Sequence, residues 1–524
     1  MKCPFLIAAM AEDGHDSMVA GKIAVIGAGI AGLCTAKTLM ALGYDVMIVE
    51  KEPDLGGVWA KSRRYPGLTT QNPRETYCFS DWPMPADYPE WPTGAQMQAY
   101  LQSYADHFGV TPHIRFSHQV LNATPLARNQ GWELEIEGAS GRERLRCDWL
   151  IACNGIFSIP SVPAYPGADE FAAHGGRVLH TSQFTDPEQA RGRHVLVVGY
   201  GKSSCDVANA VAPISAATTM VVRHLIWKIP KKIGNVLNFK HLFLNRLGEG
   251  LFPWRELRGF EAFLHGPGRF LRNAMLGTVQ GIIGRQLRLK DLALDPGVPL
   301  ETIARSTVSL VSDGFYRKIG EGTLGFESNV EILRLGPGEA RLSNGRIVPA
   351  DIVVCGTGWH QRVDFLPPDV RDHVTDELGN FRLYRSMIPV GVPRLLFNGY
   401  NSSFFCQLNA EIGAVWLAAY LTGALVAPDA ASMNAEIDAR LAWMDARTGG
   451  KHCKGTNIVP FSIHHIDELL EDLDLELPWS TRTVQWLRTV KASDFAQVWP
   501  RFLAKAHAAK LTDRVQGTAS LTTG

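Results

Sequence analysis

Short unbroken apolar runs dominate the chain. The segments Lys22–Ile26, Tyr44–Val49, the run from Trp149, His194–Val198, Thr218–Val222 and the run from Asp351 are each rich in Val, Ile, Leu or Met, and each stops at glycine, asparagine or a charged residue. Runs too short for a helix and lacking polar alternation predict strands buried on both faces, as in a parallel sheet covered by helices. The longest nearly apolar run, Ile412–Ala427, has 16 residues and includes Thr422. That is short of a bilayer span and predicts a buried helix.

Two of the strands run into glycine. KIAVIGAGIAGLCTAKTL, Lys22–Leu39, reads as strand, tight turn and helix, with Gly27, Gly29 and Gly32 in the spacing GxGxxG. In that spacing the first glycine permits the turn, the second lets a pyrophosphate reach the backbone, and the third lets helix pack on strand. Ala28, Ile30 and Ala31 complete the loop, and the next strand ends in Glu50, 23 residues after Gly27, followed by Lys51. A carboxylate there accepts hydrogen bonds from a free ribose 2'-hydroxyl. The second unit, HVLVVGYGKSSCDVA, has Gly199 and Gly201, then Lys202 and Ser203, with Ser204 as the third small residue. Its following strand ends in Arg223, 24 residues after Gly199. A guanidinium suits a 2'-phosphate. The pair therefore reads as FAD first and NADPH second.

Two further strand ends, Asn154 with Gly155 and Thr357 with Gly358, bracket the second unit. The expected architecture is α/β: two Rossmann-like dinucleotide-binding domains, the NADPH domain inserted into a discontinuous FAD domain. The 524 residues divide into a leader (1–17), FAD domain (18–170 and 345–505), NADPH domain (171–344) and tail (506–524).

At this point the sequence resembles the flavin-containing monooxygenases, of the dimethylaniline N-oxide-forming type, within the class B flavoprotein monooxygenases. The resemblance covers about residues 22–430. Gly56, Gly57, Val58 and Trp59 match the family's GGxW turn, and YPGLTTQNPRETYCFSDWP, Tyr65–Pro83, resembles the stretch passing the flavin and ending in Asp81, Trp82 and Pro83. Thr70 and Asp81 are on that account cofactor-contact candidates. Gly176, His180 and Phe184 fit the family's linker signature in part. Where Baeyer-Villiger relatives carry tryptophan, Phe184 stands, followed by Thr185, which tilts the resemblance towards oxidation of nitrogen or sulfur. The asparagine of the family's Thr-Asn pair aligns with Gln71, beside Asn72; either side-chain amide can donate to a peroxide oxygen, and the two are the candidate catalytic residues. Asn401, Ser402 and Gln407, in the family's return to the flavin, are pocket candidates.

The resemblance implies that NADPH reduces FAD and that the reduced flavin meets O2 to form a C4a-(hydro)peroxide. One oxygen atom then passes to a lipophilic small molecule, at nitrogen or sulfur. Baeyer-Villiger oxidation of a ketone and a redox sensor without turnover stay open as alternatives. A protein nucleophile is not expected, since GxSxG, HExxH and a catalytic cysteine setting are absent from the sequence.

Composition adds limits. Lysine plus arginine equals aspartate plus glutamate, 52 against 52, so no global field draws the chain to nucleic acid. The balance hides an asymmetry: Arg223–Lys290 holds 13 basic residues against three glutamates, among apolar clusters. That segment of about 223–290 reads as a lid, a substrate channel, an interfacial patch or a solvated helical face. Nine scattered cysteines without CxxC suit a reducing, cytoplasmic setting and suggest no metal. Met1–Ala11 makes a poor secretory signal. Peripheral membrane contact and self-association are left open.

Overall fold

The computed structural model describes residues 21–305, 309–401, 403–449 and 462–507; the leader, most of the tail, Ser402, Cys3 and Cys453 lie outside them. The first parallel sheet has five strands in the spatial order Leu395–Phe397, Trp149–Ala152, Lys22–Ile26, Asp45–Val49 and Ile114–Arg115. The residues of the first four strands are almost all buried, as their unbroken apolar composition requires. Its outermost strand comes from beyond the second unit, with Phe397 in register with Ala152. The strand order reverses beside Lys22–Ile26, which opens a crevice at the carboxyl ends of that strand and of Trp149–Ala152.

The second parallel sheet runs Gly325–Ser328, Ala217–Val222, His194–Val198, Ile352–Cys355 and Arg177–His180. One boundary moves here. Ile352–Cys355, placed by the expected break at 344/345 in the resumed FAD domain, lies between two strands of the second sheet, with Val198 opposite Cys355. The two crossings between the domains then pair with each other, Trp359 with Pro160 and His360 with Ile159. The architecture is two Rossmann-like units, the second inserted into the first.

The first unit also carries an antiparallel meander of Gln119–Pro125, Trp132–Gly138 and Gly141–Cys147. Its central strand alternates: Trp132, Leu134 and Ile136 are fully buried, while Glu133 and Glu137 pair outward with Arg146 and Arg142. The long apolar run forms a buried helix, but from Cys406 to Leu421. It ends before Gly423, whose φ of +72° is the left-handed turn that stops a helix. It packs on the helix Ile30–Met40. No helix of the described residues is long and apolar enough to cross a membrane.

The basic segment folds as a hairpin, Lys232–Ile233 with Leu237–Asn238, followed by helices Lys240–Phe243, Arg246–Gly250, Gly259–His265 and Arg269–Gln286. Many of its charges are answered by distant acids: Lys240 by Glu75 and Glu90, Arg246 by Asp467, Arg255 by Glu468 and Arg272 by Glu301. Much of the local excess thus clamps the segment onto the rest of the chain. Arg223, Lys232, Arg269, Arg285 and Lys290 are exposed and have no ion-pair partner among the described residues.

Candidate functional site

The first glycine loop is built by close approach. Gly27 has a φ of +102°, and a Cβ on Gly32 would stand 1.9 Å from the Gly27 carbonyl oxygen. Helix Ile30–Met40 begins at Gly29 without a side-chain cap, so the N–H groups of Ile30, Ala31 and Gly32 have no intrahelical acceptor and suit an anion at the crevice. The turn Gly56–Trp59 folds back over this loop. Gly56 donates its N–H to the Ala28 carbonyl at 3.0 Å, and a Cβ on Gly57 would lie 3.2 Å from the Gly29 Cα. Val58 faces out and Trp59 is buried.

Glu50 is buried at the end of the adjacent strand, where its carboxylate accepts N–H groups from Ala28 at 2.7 Å and Glu52 at 2.9 Å. Burial raises its pKa against the opposite pull of those two donors. Lys51 follows on the surface. Across the crevice, Asn154 accepts the Tyr400 hydroxyl at 2.6 Å and leads into Gly155. Thr70 is fully buried, and its hydroxyl has no partner among the described protein atoms. A side-chain-free cradle at a helix N-terminus, a carboxylate at the next strand end and an orphaned hydroxyl together fit a dinucleotide such as FAD.

The second loop repeats the plan with a different third residue. Gly199 has a φ of +107°, and Gly201 caps the helix Lys202–Val211. Ser204 is fully buried, and its hydroxyl lies 3.3 Å from the carbonyls of both Val198 and Gly356. Serine therefore bonds both strand ends where glycine would only make room. Lys202 pairs with Asp206 one turn on and Ser203 is half-buried. Beneath the loop, the buried ammonium of Lys228 donates to the Tyr200 carbonyl and, at 2.9 Å, to Ser309. Arg223 stands exposed at the end of the next strand, without an ion-pair partner among the described residues.

The linker residues serve the two crossings. His180 is buried; its Nε2 donates to the Gly358 carbonyl at 3.1 Å, and its Nδ1 accepts the Ser182 N–H at 3.2 Å. Burial lowers its pKa to about 4, against the Gly358 bond, so the ring is neutral. Thr357 donates its hydroxyl to the Ser161 carbonyl at 2.5 Å. A Cβ on Gly176 would strike the Phe171 ring at 2.5 Å, and Phe184 is core.

Asp81 sits beside the far end of the first helix, its Oδ1 buried and without a partner among the described protein atoms. Its carboxylate pairs with Lys37 in the last turn of helix Ile30–Met40, about 12 Å along the axis from Gly29, an ion pair of the packing away from the glycine loop. Asn72 is buried with its Nδ2 donating to the Phe404 carbonyl at 2.5 Å. Gln71 accepts the Leu310 N–H at 3.1 Å through Oε1, and its amide nitrogen has no partner among the described residues. Leu310 and Phe404 also line a small apolar cavity of about 20 Å3, together with Ile229, Phe239, Phe243 and Phe252, space for about one water. In the return segment, Asn401 donates to Asn409 at 3.1 Å and Gln407 reaches the Tyr77 carbonyl at 3.4 Å.

Residues 20–253 match the model of the flavin-binding monooxygenase-like family, and a probable flavin-containing monooxygenase 1 of Arabidopsis thaliana is 26% identical over 507 residues, 89% of this chain and 94% of that one. The chain is thus similar to flavin-containing monooxygenases over most of its length. Two solved structures share its fold. The S-allyl-L-cysteine S-oxygenase of Allium sativum is 19% identical with a TM-score of 0.59, over 93% of this chain and 98% of that one. A variant cyclohexanone monooxygenase of a Rhodococcus species, bound to NADP+, is 19% identical with a TM-score of 0.60, over 77% of this chain and 86% of that one.

One charged group of the cavity left no mark in the sequence. Glu249, in the basic segment, lines the cavity and bonds His464, 215 residues away, at 2.6 Å. The other ring nitrogen of His464 contacts Glu261 at 3.0 Å. Burial opposes charge on this imidazole, but the two carboxylates prevail and raise its pKa to about 10. No motif joins residues so far apart, so only the fold reveals them.

Proposed function

We propose that this chain is an FAD- and NADPH-dependent monooxygenase that transfers one oxygen atom to nitrogen or sulfur of a lipophilic small molecule. When bound, FAD supplies the activation of O2, with NADPH as the hydride source. The protein's share is orientation and water exclusion. The glycine loops at Gly27–Gly32 and Gly199–Gly201 seat the two pyrophosphates, Glu50 takes the adenosine ribose of FAD, and Arg223 takes the 2'-phosphate of NADPH. Asn154, Gly155, Thr357 and Gly358 line the two crevice exits.

The observation that carries the reading is the uncommitted amide nitrogen of Gln71, beside the wall of a cavity with room for about one water. Leu310 and Phe404 wall it, and their backbone groups are held by Gln71 and Asn72. Of the two amides, Asn72 has committed its nitrogen, whereas Gln71 has committed only its oxygen. Gln71 Nε2 is thus the donor left to hydrogen-bond the oxygen being transferred.

The test is product analysis with NADPH and O2, offering a tertiary amine, a thioether and a cyclic ketone side by side. N-oxide and sulfoxide are the expected products. Exclusive formation of the lactone would sink the proposal in favour of Baeyer-Villiger chemistry on the same fold.

A further inference from the structure

Lys228 is 1% exposed, and its ammonium forms no ion pair with a carboxylate among the described residues. Lysine is almost never buried in that way, because a charge taken out of water loses its hydration and here gains no opposite charge in contact. What holds the ammonium are neutral groups: the Tyr200 carbonyl, the Ser309 hydroxyl at 2.9 Å, and the Tyr200 ring, whose centroid is 4.5 Å away. An apolar side chain of the same length would fill this space without the cost. The charge therefore has a purpose outside the packing.

The acid that acts on Lys228 through space is Asp206, and it is already taken. It pairs with Lys202 and accepts the Ser312 hydroxyl. Cys205, also beside the ammonium, has a thiol that burial keeps neutral. Lys202, Asp206 and Lys228 are all buried, so two cations stand against one carboxylate beneath the loop Gly199–Gly201. Ser309 is fixed in turn by a bridge between chain segments: its carbonyl accepts the Ile229 N–H at 3.0 Å, and the Ile229 carbonyl accepts the Val311 N–H at 2.9 Å.

Tyr200 lies between the two glycines, and its peptide with Gly201 is trans. In a trans peptide the carbonyl and the following N–H point in opposite directions. Lys228 draws the Tyr200 carbonyl inward, so the Gly201 N–H turns away from the core, at the start of helix Lys202–Val211. That helix has no side-chain cap, and a Cβ on Gly201 would meet nothing within 4 Å. The loop thus offers open space and unpaired donors to an anion.

We propose that Lys228 is a positioning residue for the second nucleotide: it fixes the Tyr200 peptide so that the Gly201 N–H meets the pyrophosphate, and its buried charge attracts that anion from beneath the loop without touching it. In a poorly screened interior such a charge acts beyond contact distance. The inference rests on the reading of Gly199–Gly201 as the pyrophosphate seat. It divides the work with Arg223, which addresses the 2'-phosphate at the other end of the nucleotide.

The experiment is a calorimetric titration of the FAD-loaded protein with NADP+, NAD+ and 2'-AMP, the last carrying the 2'-phosphate without a pyrophosphate. Lys228→Met is expected to raise Kd for NADP+ and NAD+ by the same factor, roughly tenfold, with 2'-AMP nearly unchanged and Tm no lower than in the wild type. Lys228→Gln keeps a donor for the Tyr200 carbonyl without the charge, and should fall between the two. Arg223→Ala is expected to show the complementary pattern, weakening NADP+ and 2'-AMP but not NAD+. Wild-type affinity of K228M and K228Q for NADP+ overturns the proposal. So does equal weakening of all three probes with a lowered Tm, since Lys228 then serves the fold alone. Wild-type protein that binds NADP+ no more tightly than 2'-AMP would remove the loop from pyrophosphate binding, and the proposal would go with that reading.

Discussion

The Ser204 hydroxyl lies 3.3 Å from the Gly356 carbonyl, and a Cβ on Gly356 would stand 2.0 Å from that hydroxyl oxygen. The two residues are 152 positions apart and join the strands on either side of the second crevice. Gly356→Ala is expected to cost about 1 to 3 kcal/mol by overpacking and to weaken NADPH binding. Ser204→Gly removes the obstructing oxygen, so the double variant S204G/G356A should recover part of that loss. A thermodynamic cycle from denaturant unfolding checks this, and strict additivity of the two changes would show that they do not meet.

Arg223 stands where a 2'-phosphate is expected, with no carboxylate paired to it among the described residues. Loss of one charge-assisted contact amounts to about 1.5 kcal/mol or more. Arg223→Ala is therefore expected to raise KM for NADPH roughly tenfold and to leave KM for NADH nearly unchanged. Steady-state kinetics with the two nucleotides decide it; equal effects would remove Arg223 from phosphate recognition.

Gln71 and Asn72 are expected to fail differently. Gln71→Leu takes away the uncommitted donor together with the acceptor of the Leu310 N–H, so beyond a lowered Tm, NADPH oxidation continues while product per NADPH falls and hydrogen peroxide is released. Asn72→Ala breaks a buried hydrogen bond to the Phe404 carbonyl, at a cost of about 1 to 3 kcal/mol. It should appear first as a lowered Tm. Peroxide release by N72A with unchanged Tm, and none by Q71L, would reverse the assignment.

His180 carries a pH dependence of stability. Its pKa is lowered from 6.5 to about 4 in the folded protein, so the unfolded chain binds the extra proton first. Stability from this group is present above pH 6.5 and is lost as pH falls towards 4, by about 2 kcal/mol between pH 7 and pH 5. Denaturant unfolding of the wild type and His180→Gln at those two pH values is the check. The wild type should lose that much more than the variant.

The strands, the two glycine loops and the strand-end residues Glu50 and Arg223 were legible from the amino-acid order, because one strand-turn-helix-strand unit sets its own geometry over some twenty residues. Residue spacing within such a unit is distance in space. Beyond it the order of residues carries no such ruler. Ile352–Cys355 joined the second sheet because its register with His194–Val198 and Arg177–His180 buries both of its faces. Asp81 turned to Lys37, and Glu249 met His464 across 215 residues, since a buried charge must find a partner wherever the fold brings one. The basic segment changed meaning for the same reason. Its interior charges found distant acids, and those left over mark the face that meets the outside.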